Sequence, residues 1–244
     1  MKNQFVILAG GQGKRMGGAV PKVLVMLKNK PLILYVLEEL DQVGQLAPPV
    51  IVVGYKGLEV KTVLGDSYFY AQQTRQLGTA HAVLAAKDLV RADNVVVLYG
   101  DMPFIRAASL KRLIKSHFDS GAKISMLTAK VENFGGVYES LEHYGRIIRD
   151  QDGRIINSVE FKDASLEQRL ITEVNPCIYM FNTAWLWQAL PQIGNHNAQG
   201  EYYLTDVVPL ALAQGAGINS LAVDPGEILG VNTPADLAAA ETLI

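Results

Sequence analysis

The sequence predicts an α/β fold, a Rossmann-like and mostly parallel sheet flanked by helices, with a small β-rich lobe. Three observations carry that prediction. Short apolar runs suited to strands alternate with segments of helical periodicity along most of the chain. The run Val95–Leu98 is continuously apolar, as a strand buried on both faces requires. Around residues 145–159 the alternation breaks into two short runs about a glycine-bearing turn, the pattern of a hairpin.

The elements follow in order. Phe5–Ala9 reads as a buried strand that empties into a glycine-rich loop. Leu32, Ile33, Val36, Leu37, Leu40 and Val43 share one face of a helix starting near Pro31. Val50–Val53 is a short β-branched strand, and residues 78–90 carry an apolar helical stripe. After the strand at Val95–Leu98 come a helix near residues 107–118 and a strand near 123–131. Residues 145–149 and 154–159 flank Asp150-Gln151-Asp152-Gly153, which places the second lobe at roughly 135–175. A strand near 178–181, helices near 183–190 and 202–213, a strand near 218–223 and a helix from Pro234 complete the chain. There is no internal repeat, low-complexity tract or linker, so residues 1–244 are expected to form one unit.

Composition narrows the function classes. The chain has 244 residues, of which 49% are apolar, enough for a sizeable core. A net charge of −2 argues against nucleic acid as a bulk electrostatic partner. One cysteine, Cys177, permits no internal disulfide, and four scattered histidines make a zinc site improbable. No signal peptide opens the sequence, and no apolar run approaches the roughly 20 residues of a membrane span. The expectation is a soluble cytoplasmic protein.

Five constellations can carry chemistry. The first is Leu8-Ala9-Gly10-Gly11-Gln12-Gly13-Lys14-Arg15-Met16, closing at Pro21-Lys22. Glycines let backbone N–H groups approach an anion, and Arg15 and Lys22 add positive charge. The shape suits a nucleoside triphosphate. It is not a P-loop, because Arg15 follows Gly13-Lys14, and not G-x-G-x-x-G, because Met16 takes the last position. The second is Tyr99-Gly100-Asp101, at the carboxyl end of a central strand where α/β sheets bind ligands. Asp101 there suits Mg²⁺; the plain alternative is a cap on the next turn. The third is Gln73 with Gln76-Leu77-Gly78-Thr79-Ala80-His81, opening a helix. Amide side chains can read a uracil edge, whereas Thr79 could be an ordinary N-cap, and His81 reads best as a packed helix residue. The fourth spans Tyr144-Gly145-Arg146, Glu160 and Asn175 around the hairpin, suited to sugar hydroxyls or to a plain polar surface. The fifth is Asn232 before Thr233-Pro234: either a helix cap or a second metal ligand, the latter only if it meets Asp101 in space.

Together these motifs resemble the sugar-1-phosphate nucleotidyltransferases, and within them the uridyltransferase domain of bacterial N-acetylglucosamine-1-phosphate uridyltransferases, over about residues 4–240. The run Asn197-Ala198-Gln199-Gly200-Glu201-Tyr202-Tyr203-Leu204-Thr205-Asp206 is the most distinctive piece. The resemblance implies the nucleotide-diphospho-sugar transferase type of fold, with UTP and N-acetylglucosamine 1-phosphate as substrates and Mg²⁺ as cofactor. It implies that Leu8, Ala9, Gly10, Gly11, Gly13, Gln73, Gln76, Gly78 and Thr79 hold the nucleotide. It gives Arg15 and Lys22 the triphosphate and catalysis, and Asp101 and Asn232 the metal. Tyr99, Gly100, Gly145, Glu160, Asn175, Tyr202 and Thr205 fall to the sugar.

The implied reaction is attack of the sugar phosphate on the α-phosphorus of UTP, giving UDP-N-acetylglucosamine and pyrophosphate. The alternatives are another sugar 1-phosphate, such as glucose 1-phosphate, or a catalytically silent nucleotide-sugar-binding regulator. The chain departs from the family at Gly10, Lys14, Phe161 and Pro176-Cys177, where Ala, Thr, His and Thr-Gly are usual. The sequence shows no hexapeptide repeat, so a left-handed β-helix acetyltransferase domain and its trimer are not expected, and the oligomeric state stays open.

Overall fold

The computed structural model describes residues 2–44 and 47–244. Its centre is a ten-stranded mixed sheet. In chain order the strands and helices are β1 (Asn3–Ala9), the two-residue strands β2 (Met26–Leu27) and β3 (Lys30–Pro31), α1 (Leu32–Val43), β4 (Ala47–Val53), α2 (Gly57–Leu64), β5 (Phe69–Gln72), α3 (Thr79–Ala85), β6 (Asn94–Tyr99), α4 (Ala107–Ser120) and β7 (Ile124–Lys130). There follow β8 (Gly145–Arg149), β9 (Ile155–Val159), α5 (Leu166–Arg169), β10 (Glu173–Asn175), β11 (Tyr179–Asn182), α6 (Thr183–Ala189), α7 (Val207–Ala213), β12 (Ile218–Ala222) and α8 (Pro234–Glu241).

Strands β5-β4-β1-β6 run parallel, β11 lies antiparallel between β6 and β7, and β12 pairs parallel with β7. Alternate residues of β1 feed two cores. Phe5, Ile7 and Ala9 pack with α1 and α4, and Val6 and Leu8 with α3, α6 and α7. That double burial is why the strand sequences read as unbroken apolar runs.

One break in a strand shapes the site. β10 and β11 lie on one line along β7, but Pro176 and Cys177 interrupt it. Before the break the line pairs with β8, and after it with β6. The ends of β6 and β8 therefore part, and a crevice opens between Tyr99 and Gly145. Cys177 sits at φ 57°, in the left-handed region, where a side chain costs about 1–2 kcal/mol relative to glycine.

Several sequence expectations shift. The helix expected over 78–90 ends at Ala85, where the bonds tighten to i→i−3 (Ala86 N to Val83 O, Lys87 N to Leu84 O). The helix expected from Tyr202 starts as a 3₁₀ turn at Leu204 and becomes α-helical at Val207. Tyr202 is extended because its N–H donates to Leu77 O and its carbonyl accepts from Ala80 N. Helix α2 and edge strand β5 were not expected; they are short, and β5 buries only Ala71, so neither leaves a strong periodic signal. No described helix is long and apolar enough to cross a membrane.

Candidate active site

The glycine-rich loop folds back on itself. Met16 N and Gly18 N both donate to Gly13 O, and Lys22 N donates to Gly11 O at 3.3 Å. Gly13 turns the chain at φ +65°, where a β-carbon would lie 3.3 Å from the Lys22 Cα. Lys22 is thereby planted at the mouth of the loop. Among the described residues, the N–H groups of Gly11, Gln12 and Gly13 have no hydrogen-bond partner, which leaves them available to an anion.

Lys22 Nζ donates to Asn232 Oδ1 at 2.8 Å and forms an ion pair with the buried Asp101 carboxylate. The two proposed metal ligands, far apart in sequence, thus reach one cation position. Neither acts as a cap. Thr233 caps α8 in a reciprocal box with Asp236, with Pro234 at the first helical position, so Asn232 Oδ1 is left for Lys22 while its Nδ2 donates to Gly230 O at 3.4 Å. Tyr144 clamps this turn: its hydroxyl donates to Ile228 O at 2.9 Å and accepts from Gly230 N at 3.1 Å. Burial, and then the nearby Asp101 charge, push its phenol far above the ordinary range.

Two cavities meet at this point. One, of about 230 Å³, is lined by Leu8, Gly10, Gly11, Gln73, Gln76, Gly78, Thr79 and Glu201. The other, of about 180 Å³, is lined by Gly145, Glu160, Asn175, Pro176, Cys177, Gly230 and Asn232. They share Lys22, Tyr99 and Asp101. Most of the nucleotide residues expected from the sequence lie in the first, and Tyr99, Gly145, Glu160 and Asn175 in the second. Glu201, in the distinctive 197–206 run, and Tyr144, beside Gly145, are wall residues whose roles sequence reasoning did not assign.

Other expected site residues stand behind the walls. Gly100 faces the core, where a β-carbon would meet Val23 and Ile33 at 3.1 and 3.2 Å, so it supports the strand end instead of lining the second cavity. Tyr202 walls in Gly78 with its backbone. Gly78 has φ +117°, and a β-carbon there would stand 2.5 Å from Tyr202 O. Thr205 is fully buried and donates to Glu160 Oε1 at 2.8 Å, leaving Oε2 without a bond to that hydroxyl. Thr79 accepts from Leu204 N at 2.9 Å, so the helix cap position falls to Gly78. The segment 202–205 therefore straps the start of α3 to Glu160. Arg15 is exposed and lines a third, larger cavity that shares Tyr144, Gly230 and Asn232 with the second. Ala9 and Gly13 shape the loop without lining either of the two joined cavities.

The floor of the second cavity is a buried polar cluster. Asn175 Nδ2 donates to Ser158 Oγ at 2.9 Å and Tyr179 Oη at 2.6 Å, and Oδ1 accepts from Cys177 N at 2.9 Å. Both amide hydrogens are engaged, so Asn175 offers a ligand only remaining acceptor capacity at Oδ1. Its bond to Cys177 N holds the strand break in place. Burial, reinforced by Glu160, raises the Cys177 thiol far above its usual range, and burial first, then Cys177, does the same to the phenol of Tyr99. Glu160 is also raised by burial, against the hydrogen bond from Thr205.

The donor set at Asp101 and Asn232 is two hard oxygens within reach of one ammonium. Among the described residues no group of three or more His, Cys, Asp or Glu side chains forms a metal cage. One carboxylate and one amide oxygen, completed by water and phosphate oxygens, fit Mg²⁺.

Comparison with known proteins agrees with this geometry. Residues 5–205 match the MobA-like NTP transferase domain. The bifunctional protein GlmU of Carboxydothermus hydrogenoformans is 43% identical over 234 residues, covering 96% of this chain and 51% of that protein. The bifunctional protein GlmU of Oceanobacillus iheyensis is 42% identical over 248 residues, covering 100% of this chain and 53% of that protein. The chain spans about half the length of these curated relatives. A crystal structure from Bacillus anthracis, assigned as a glucose-1-phosphate thymidylyltransferase and solved with sucrose, superposes with a TM-score of 0.78 at 22% identity, covering 99% of this chain and 94% of that one, and so shares the fold. With a strand, a glycine-rich loop and a carboxylate at the next strand end forming one pocket across the matched region, the chain belongs to the MobA-like NTP transferase domain family.

Proposed function

We propose that this chain is a Mg²⁺-dependent uridylyltransferase that joins UTP and N-acetylglucosamine 1-phosphate to give UDP-N-acetylglucosamine and pyrophosphate. The observation that carries the reading is the pair of cavities meeting at Lys22, Tyr99 and Asp101. Two ligand spaces with a charged junction suit two phosphate-bearing substrates that react where they meet. The relatives named bifunctional protein GlmU, of which this chain matches about half, support assigning one of two activities to it.

The chemistry follows from charge. A sugar phosphate oxygen attacks the α-phosphorus of UTP in line, the P–O bond to the β-phosphate breaks, and pyrophosphate leaves with the electron pair. The attacking phosphate is already an anion near neutral pH, so no general base is needed. The residues position the two anions and offset their repulsion. Asp101 Oδ2 and Asn232 Oδ1 would hold Mg²⁺, which would supply positive charge that offsets the repulsion of the reacting phosphates. Lys22 neutralises charge building on the α-phosphate, and Arg15 faces the leaving pyrophosphate. The free N–H groups of Gly11–Gly13 receive the remaining phosphate oxygens. Gln73 and Gln76 face the base, and Glu160 accepts from a sugar hydroxyl. A cytoplasmic setting goes with this reading.

A panel of nucleoside triphosphates and sugar 1-phosphates, read by pyrophosphate release, tests it. UTP with N-acetylglucosamine 1-phosphate should be the best pair. Cys177, whose side chain adds volume to the sugar floor at a left-handed backbone position, favours a second reading with a smaller 2-substituent. Faster turnover with glucose 1-phosphate would establish that second reading. Nucleotide binding without pyrophosphate release from any pair would mark a silent regulator.

A further inference from the structure

Gln73 is nearly buried at the end of the nucleotide cavity, 5% exposed. Its Nε2 donates to Gly78 O at 3.1 Å and lies 3.1 Å from His81 Nδ1. A carbonyl oxygen can only accept, so the group facing Gly78 is the amide NH₂. His81 Nδ1 meets the second hydrogen of that NH₂. It must be the bare, accepting ring nitrogen, which puts the imidazole proton on Nε2. With both amide hydrogens held, the polar atom that Gln73 has left to offer is Oε1. That oxygen stands beside the glycine loop, where a β-carbon on Gly10 would lie 3.2 Å away.

A fixed acceptor distinguishes pyrimidines by hydrogen-bond sense. Uracil carries a hydrogen on N3, whereas cytosine presents a lone pair there. An amide held by Gly78 O alone can pivot about one bond; a second anchor at His81 Nδ1 removes that freedom. His81 itself is absent from the walls of the cavity and reaches the base only through Gln73.

We infer that His81 is a positioning residue for base selection: by accepting from Gln73 Nε2 it holds the amide with Oε1 toward the base and so favours a ring N–H donor over a lone pair. The inference rests on reading this cavity as the base subsite, and deepens that reading.

The test compares UTP and CTP as kcat/KM for the full chain and for His81→Ala and His81→Asn, with ¹⁵N NMR of the His81 ring. His81→Ala should lose about tenfold of the UTP preference, the scale of one hydrogen bond to a buried group, through a raised nucleotide KM. The KM for the sugar phosphate should stay close to the parent value. His81→Asn, which keeps an acceptor near the Nδ1 position, should restore most of the preference, and the ring should carry its proton on Nε2. An undiminished UTP preference in His81→Ala, or a proton on Nδ1, overturns the inference while the reaction stands. Pyrophosphate release with no distinction between UTP and CTP in the parent chain overturns it too. Absence of pyrophosphate release with every nucleotide overturns the reading of the cavity and this inference together.

Discussion

Lys22 Nζ and Asn232 Oδ1 lie 2.8 Å apart although 210 residues separate them in sequence, and the same ammonium pairs with Asp101. This contact joins the opening loop to the turn before the last helix. Lys22→Ala and Asp101→Ala should each lower kcat by about 10²-fold or more, the scale of removing one charge contact to a transition state. Circular dichroism should show the fold retained. Asn232→Ala should raise the Mg²⁺ concentration needed for half-maximal rate, read by metal titration. Parent-like rates in Lys22→Ala or Asp101→Ala would remove these residues from the chemistry.

Gly145 lines the second cavity, the one we propose for the sugar phosphate. A β-carbon there would stand 3.8 Å from Glu160 Cδ and 3.7 Å from Asn175 Cβ, in ordinary contact with the protein but inside the space between them. Gly145→Ala should therefore melt close to the parent temperature while raising the sugar-phosphate KM and leaving the UTP KM near its parent value. A KM split in the opposite sense would show that the sugar lies elsewhere.

Arg146, beside it, serves the fold. It is fully buried, its guanidinium stands 4.6 Å from the Phe134 ring and 5.2 Å from the Phe161 ring, and it donates to the carbonyls of Glu142, Tyr144 and Arg169. Burial lowers its pKa, against the opposing charge of Glu142. Arg146→Met keeps the volume but orphans three carbonyls, and should cost roughly 3 kcal/mol or more. For a chain of this size that is a fall in Tm of about 6–12 °C, measurable by calorimetry.

Asp206 makes stability depend on pH. Burial, and then the charge of Asp163, push its carboxyl up from 3.8 to about 6. The folded state thus holds this proton more tightly than the unfolded chain. Between about pH 4 and pH 6 the folded state carries more protons, so this group's contribution to stability falls as pH rises through that window. Asp206→Asn should flatten the decline and melt above the parent at pH 7. Melting curves for both proteins across pH 4–8 check the sign; parallel curves would show that Asp206 titrates normally.

Much of the fold is legible because its strands are buried on both faces. Phe5–Ala9, Val50–Val53 and Val95–Leu98 have no polar face to maintain and so stand out as apolar runs. The β10–β11 line was only half legible. Val174 and Asn175 belong to it, but Pro176 and a left-handed Cys177 hide the continuity. Local periodicity continues through Tyr202 and predicts helix there, whereas pairing with Leu77 and Ala80 holds it extended.

By itself the sequence determined the α/β class, the glycine loop with its two cations, and the placing of Asp101 at a strand end. These rest on local rules: apolar period, glycine freedom, and the acid after a buried run. Only the tertiary structure decided that Asn232 is not a cap and meets Asp101 at Lys22, that Gly100, Tyr202 and Thr205 support the walls instead of lining them, and that His81 holds Gln73. The reason is geometric. A hydrogen bond commits a side chain over about 3 Å, and which atoms come that close is set by how the sheet order and the break in the β10–β11 line bring separate segments together, which local sequence rules do not specify.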